Sequence, residues 1–208
     1  EQERSDELLR NILPVQIAEE LKSTGKAKAR QFPEVTVFFS DFHNFTKDAE
    51  SLGPEKLVAE LDTIFRQFDN IIGQYPDLEK IKTIGDAYMC ATGFSDRAGF
   101  PNNMVKAALE MQAYLTEKAK TEPRLSQARM GMHTGEVTAG VVGSKKFAYD
   151  IWGDTVNIAA RMESKSEAGR VNISEATYRK IRYKFHCTPR GKIQAKNKGM
   201  IEMYYVDG

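Results

Sequence analysis

Cysteine is scarce in this chain. Cys90 and Cys187 are the only two among 208 residues. That count argues against a disulfide framework and fits a reducing compartment. Each reads as a small apolar packing residue. Long hydrophobic runs are missing too: none approaches the roughly 20 residues of a membrane span. Charge of one sign is not in excess. The formal net charge is +1, which gives no bulk attraction to nucleic acid or to a membrane surface. No secretory leader, fixed-period repeat or low-complexity segment is found. An initiating methionine is also lacking. The chain opens on Glu1, which reads as a piece of a longer protein.

What remains is ordinary soluble-domain composition, 41% hydrophobic and 28% charged. A chain of this length can bury a sizeable core and most simply forms one domain. Residues 1–25 are charged, with Leu8, Leu9, Ile12, Leu13, Ile17, Ala18 and Leu21 at helical spacing and Pro14 breaking the run. They predict a helix end, a break, and a short amphipathic helix from Val15 to Lys22. Residues 26–208 form the main domain. There Pro54 opens a helix to Gly73, and a helix follows from Asn102 or Asn103, as its cap, to Lys120. Gly93 to Pro101 reads as a loop. Arg129–Thr134 and Val137–Gly143 read as two strands around Gly135-Glu136, and residues 144–153 as a loop. A helix from Asp154 to Ser164, a strand from Arg170 to Ile173 and a helix from Ser174 to Lys184 follow. Two strands, Phe185–Lys196 and Ile201–Val206, close the chain. Frequent hairpins among helices predict an α+β fold with helices on one face of a sheet.

Two aspartates about 45 residues apart organise this pattern. Val35-Thr36-Val37-Phe38-Phe39-Ser40-Asp41 is a strand ending on a carboxylate. Ile81-Lys82-Thr83-Ile84-Gly85-Asp86-Ala87-Tyr88-Met89 is a hairpin with the second carboxylate at its tip. Adjacent strand ends can bring two carboxylates together, as a pair of hard divalent cations requires. Strand-end aspartates also serve simply to cap turns, and the pattern alone leaves both readings open.

Three ordered blocks resemble the class III nucleotidyl cyclases. Phe39-Ser40-Asp41-Phe42-His43-Asn44-Phe45-Thr46 is similar to that family's first metal motif, and Lys80 to Met89 to its second. Tyr149-Asp150-Ile151-Trp152-Gly153-Asp154-Thr155-Val156-Asn157-Ile158-Ala159-Ala160-Arg161-Met162 is similar to its catalytic helix. The resemblance implies a ferredoxin-like βαββαβ core, as in polymerase palms, with additional strands and helices. It implies an adenylyl cyclase domain at 26–208 that converts ATP to 3′,5′-cyclic AMP and pyrophosphate. Asp41, Asp86 and the Phe42 carbonyl would hold two divalent cations, Mg2+ or Mn2+. Asn44, Phe45 and Thr46 would wrap the phosphates. Asn157 and Arg161, four apart on one helix face, would steady the ribose and the transition state, and Lys196 would meet the β- and γ-phosphates. Asn44 and Asn197 stand where the family commonly has glycine, and asparagine tolerates positive φ. His43, His133 and His186 are assigned no ligand role.

Lys82 and Asp150 fall at the family's base-choosing positions. A lysine donor with an aspartate acceptor complements adenine and mismatches guanine. The resemblance further implies a head-to-tail homodimer with shared sites, an upstream sensor domain joined through residues 1–25, and a cytoplasmic location. Alternatives are a guanylyl cyclase, a non-catalytic nucleotide-binding dimerisation module, and a palm polymerase or diguanylate cyclase. The Gly-Gly-Asp-Glu-Phe signature of the last is missing.

Overall fold

A computed structural model describes residues 2–94 and 101–208. Most of the loop expected at Gly93–Pro101 lies outside the described residues. The chain runs α1 (Gln2–Ile12), α2 (Val15–Thr24), β1 (Arg30–Phe42), α3 (Phe45–Leu52), α4 (Pro54–Gly73), β2 (Leu78–Ile84), β3 (Ala87–Thr92), α5 (Pro101–Ala119), β4 (Ala128–Val142), β5 (Ala148–Trp152), α6 (Asp154–Ser164), β6 (Val171–Ser174), α7 (Glu175–Ile181), β7 (Cys187–Ala195) and β8 (Gly199–Val206). The sheet order is β2-β3-β1-β4-β6-β8-β7, with β5 paired to β4. Its first four strands, with α4 and α5 as crossovers, make the ferredoxin-like βαββαβ core.

Alternation along β1 explains why it is central. Phe38 and Phe42 point into one apolar cluster with α4, α5 and α7 residues such as Ile64, Phe68, Met111 and Ile181. Val35, Val37 and Phe39 point into a second cluster with Leu13, Ile17 and Ala18, beside Tyr149, Ile151 and Ala159. Burial on both faces is what a period of two gives when each face is covered. Helices were expected on one face only; α2 and part of α6 cover the other. Each fully buried large side chain, such as Phe38 or Phe68, contributes about 1.5–3 kcal/mol.

Four local expectations need correcting. Residues 128–142 form one continuous strand, not two. Gly135 is not a turn; a Cβ there would overlap the Thr155 hydroxyl of α6. Residues 148–152 form β5 within the region expected to be a loop. An extra helix, α3, starts directly after Asn44. Helix α5 already includes Pro101, so neither Asn102 nor Asn103 caps it, and the Asn103 amide donates to Asp77 instead, at 2.9 Å. No helix of the described residues is long and apolar enough to cross a membrane.

Candidate active site

The two aspartates lie near each other. Asp41 ends β1, and Asp86 lies between β2 and β3, after Gly85 at φ 58°. The Phe42 N–H donates to Asp86 Oδ2 at 3.1 Å, so the peptide next to Asp41 is tied to the second carboxylate. The donors available here are hard oxygens, two carboxylates and a peptide carbonyl. No third acidic, histidine or cysteine side chain joins them in a ligand group among the described residues. A set this sparse suits a cation that takes its remaining ligands from water and phosphate oxygens, as Mg2+ does.

The register opposes Asp41 to Arg129 on β4. Arg129 donates through Nε and Nη2 to the two Asp41 oxygens, both at 3.1 Å, a bidentate pair. That bond and the Asp41 charge hold the guanidinium pKa above its usual value. Behind them Glu163 of α6 is buried, with Oε2 3.8 Å from Arg129 Nε and no hydrogen-bond partner for that oxygen. Burial, then the neighbouring Asp41 carboxylate, push its pKa well above the carboxylate range. Sequence reasoning missed both Arg129 and Glu163. The place of Arg129 opposite a strand-end aspartate was a usable signal only once the β1–β4 register was known.

Past Asp41 the chain turns at Asn44, which adopts φ 59° and ψ 30° without a side-chain cap. The residue that replaces glycine therefore takes the left-handed conformation asparagine tolerates. Phe45 and Thr46 begin α3, and the N–H groups of a first helical turn have no partner within the helix. His43 is exposed and lends only its backbone N–H, to Gln127 O at 2.7 Å.

Lys82 and Asp150 also come together, Nζ to Oδ2 at 2.6 Å. Asp150 Oδ1 accepts the Ile151 N–H at 2.8 Å, which fixes the carboxylate. A bulge makes this pairing possible. Lys80 is opposite Cys90 and Lys82 opposite Met89, consecutive residues of β3, with Ile81 the extra residue. Simple alternation would put both lysines on one face. Instead Lys80 pairs with Asp69 at 2.9 Å and lies over the Tyr88 ring, while Lys82 turns to the opposite face.

On α6, Asn157 is exposed and Arg161 half-buried. The Arg161 Nη1 donates to the Gln194 carbonyl of β7. Lys196 follows that strand, ahead of Asn197 at φ 66°. Asn157, Arg161 and Lys196 thus share the α6–β7 side of the molecule.

The sequence profile described as the adenylate and guanylate cyclase catalytic domain matches residues 27–208. The chain belongs to this family. The cyclase domain is 38% identical over 210 residues to an adenylate cyclase of Mycobacterium tuberculosis, covering all of this chain and 47% of that protein. It is also 38% identical over 213 residues to a receptor-type guanylate cyclase of Caenorhabditis elegans, covering 99% of this chain and 18% of that one. The chain therefore spans less than half the length of either relative. Among solved structures, the adenylyl cyclase CyaB of P. aeruginosa superposes with a TM-score of 0.78 at 29% identity, over 88% of this chain and 97% of that one.

Proposed function

We propose that this cyclase domain converts ATP to 3′,5′-cyclic AMP and pyrophosphate at sites shared by two copies in a head-to-tail homodimer. The observation that carries the choice of ATP is the Lys82–Asp150 pair, 2.6 Å apart. Opened around a purine, it offers a donor toward adenine N1 and an acceptor for the 6-amino group. Guanine presents the reverse pattern and would leave both groups opposed. Relatives of both kinds exist, so a guanylyl cyclase is the second reading; a lysine and an aspartate in direct contact weigh against it.

Asp41, Asp86 and the Phe42 carbonyl would hold two divalent cations, Mg2+ or Mn2+. When bound, these supply acidification of the ribose 3′-hydroxyl and charge neutralisation at the triphosphate. The N–H groups of Asn44, Phe45 and Thr46 face the phosphates at the start of α3. Arg161 meets charge growing on the α-phosphoryl oxygens, Asn157 fixes the ribose for in-line attack, and Lys196 reaches the β- and γ-phosphates.

Sharing between copies is supported by the faces of α6. Glu163 points at Asp41 of its own chain. Arg161 lies two residues away, roughly 200° around the helix, and so faces elsewhere. Asn157 and Arg161 are then placed to serve a partner's carboxylates. Exposed Ile84 beside the Asp86 turn and exposed Trp152 beside Asp150 give apolar surface at both half-sites for such a partner to cover. The length of the relatives and the helices preceding β1 favour an upstream sensor domain. A nucleoside triphosphate substrate places the domain on the cytoplasmic side.

The test is direct. The purified domain, given ATP or GTP with Mn2+ or Mg2+, should release cyclic AMP in preference to cyclic GMP. Lys82→Glu with Asp150→Cys should reverse that preference; an unchanged preference for ATP refutes the assignment. Absence of either product in a folded dimer would leave a non-catalytic nucleotide-binding module.

A further inference from the structure

The Lys82–Asp150 pair is not braced by the sheet alone. Strand β1 is held on both edges, by β3 and β4. By contrast, β2 is the last strand of the sheet and carries the Ile81 bulge, while β5 has a single partner, β4. The two groups that would choose the base therefore stand on strands that each have a single partner in the sheet. The joint between α1 and α2 shares an apolar cluster with both. Leu13, only 4% exposed, packs in one apolar cluster with Tyr149 and Ile151, the residues on either side of Asp150. Ile81, the bulge residue, and Leu9 pack against the same cluster. A cavity of about 810 Å³ connects the parts, with Asn11, Leu13 and Pro14 on one wall and Ile81, Lys82 and Asp150 on another.

We infer that the α1–α2 joint, with Leu13 as its keystone, is a positioning element for base recognition: it sets the spacing of Lys82 and Asp150. This rests on the proposed role of that pair. Movement of α1 then reaches the domain as a change in purine affinity and selectivity. The aspartates sit on the well-braced β1 and at the hairpin tip, and the Asn157–Arg161 face of α6 is held by β7, so the phosphate end is the less affected.

The experiment compares Leu13→Ala and Leu13→Met with wild type, each confirmed folded and dimeric, for kcat and KM with ATP and with GTP, and for Mn2+ dependence. Leu13→Ala should raise KM for ATP and narrow the ATP:GTP ratio of kcat/KM by at least about fivefold. Its kcat and Mn2+ dependence should stay within about twofold, and Leu13→Met should restore the ratio. A fall in kcat at fixed KM, or an unchanged ratio, overturns the inference. If Leu13→Ala does not fold, Leu9→Ala, at a partly buried position of the same cluster, is scored by the same criteria. If wild type forms neither cyclic nucleotide, the proposed function fails. The inference is then judged on equilibrium binding of fluorescent ATP and GTP analogues, whose affinity ratio should still narrow in the variant.

Discussion

Arg129 sits where a cation would compete with it. Its two-pronged bond to Asp41 offsets the charge of a carboxylate proposed to hold a cation, and both side chains are less than a third exposed. Arg129→Ala should cost about 1–3 kcal/mol, since Asp41 and the buried Glu163 then lose the guanidinium that lies against both. Thermal melts with and without Mn2+ check this. The cation should recover more stability in the variant than in wild type, because Asp41 no longer has to give up a guanidinium. An equal Mn2+ shift in both would show that the pair and the cation do not compete. A second residue-scale prediction concerns His133, whose Nδ1 meets Ser174 Oγ at 2.5 Å. Burial, with the Lys198 charge nearby, lowers its pKa to about 4. The unfolded chain takes up a proton near pH 6.5 while the folded chain stays neutral. Stability present above pH 6.5 is therefore lost as pH falls toward 4, by up to about 1.4 kcal/mol per unit. Glu163, with its raised pKa, acts in the opposite direction: its contribution is full at low pH and declines as pH rises. Urea melts of wild type against His133→Asn between pH 7 and 4 isolate the histidine term, and equal slopes would remove it. That Asp41 and Asp86 lie at the ends of neighbouring strands was legible in the sequence because a motif surrounds each. Arg129 and Glu163 were not, because their importance comes from pairing across 88 and 122 positions of chain, which no local pattern records.

Helix α6 lies on β4 closely enough to dictate the residue beneath it. At Gly131 a Cβ would overlap the backbone nitrogen of Glu163 and the carbonyl carbon of Met162. These are main-chain atoms of a packed helix and cannot rotate aside, so the helix itself must lift. Gly131→Ala should lower stability by about 1–3 kcal/mol, and should lower kcat by displacing Asn157 and Arg161. A melt with steady-state kinetics reads both; an unchanged melting temperature would mean α6 is not seated as described. The same packing explains what could be read of the elements. The β2–β3 hairpin was legible because Gly85-Asp86 marks its turn and apolar residues flank it. Strand β4 was split in two because Gly135-Glu136 has turn composition, whereas the glycine is there to make room for Thr155. Strand β5 was missed because five residues between a Gly-Ser-Lys-Lys stretch and the α6 start carry little periodicity of their own. Helix α3 was missed because it is short and follows directly on a turn already assigned to phosphate binding.

At the scale of the whole molecule, the sites are expected to be halves. Asp41 is bonded to Arg129, with Glu163 behind it, while Arg161 bonds to the Gln194 carbonyl of β7 instead. Asp41→Ala and Arg161→Ala should each be inactive alone. Mixed in equal amounts and allowed to exchange, half of the dimers are heterodimers with one intact site, so roughly a quarter of wild-type activity should return. No recovery from folded, exchanging dimers would show that each chain works by itself. The βαββαβ core was legible as a whole because its hairpins and crossovers follow in order. The covering of its second face by α2 was not, because a single amphipathic turn reads the same whether it packs on its own domain or on another.

The bulge at Ile81 carries a consequence for how this protein changes over generations. Along a strand, inside and outside are a matter of odd and even counting, and one additional residue switches the count. Removing a single codon there would leave every functional group in the gene, yet turn Lys82 away from Asp150 and toward the Asp69 side. With the base-choosing role proposed for Lys82, substrate choice would be exposed to small insertions and deletions as much as to replacement of Lys82 or Asp150 themselves.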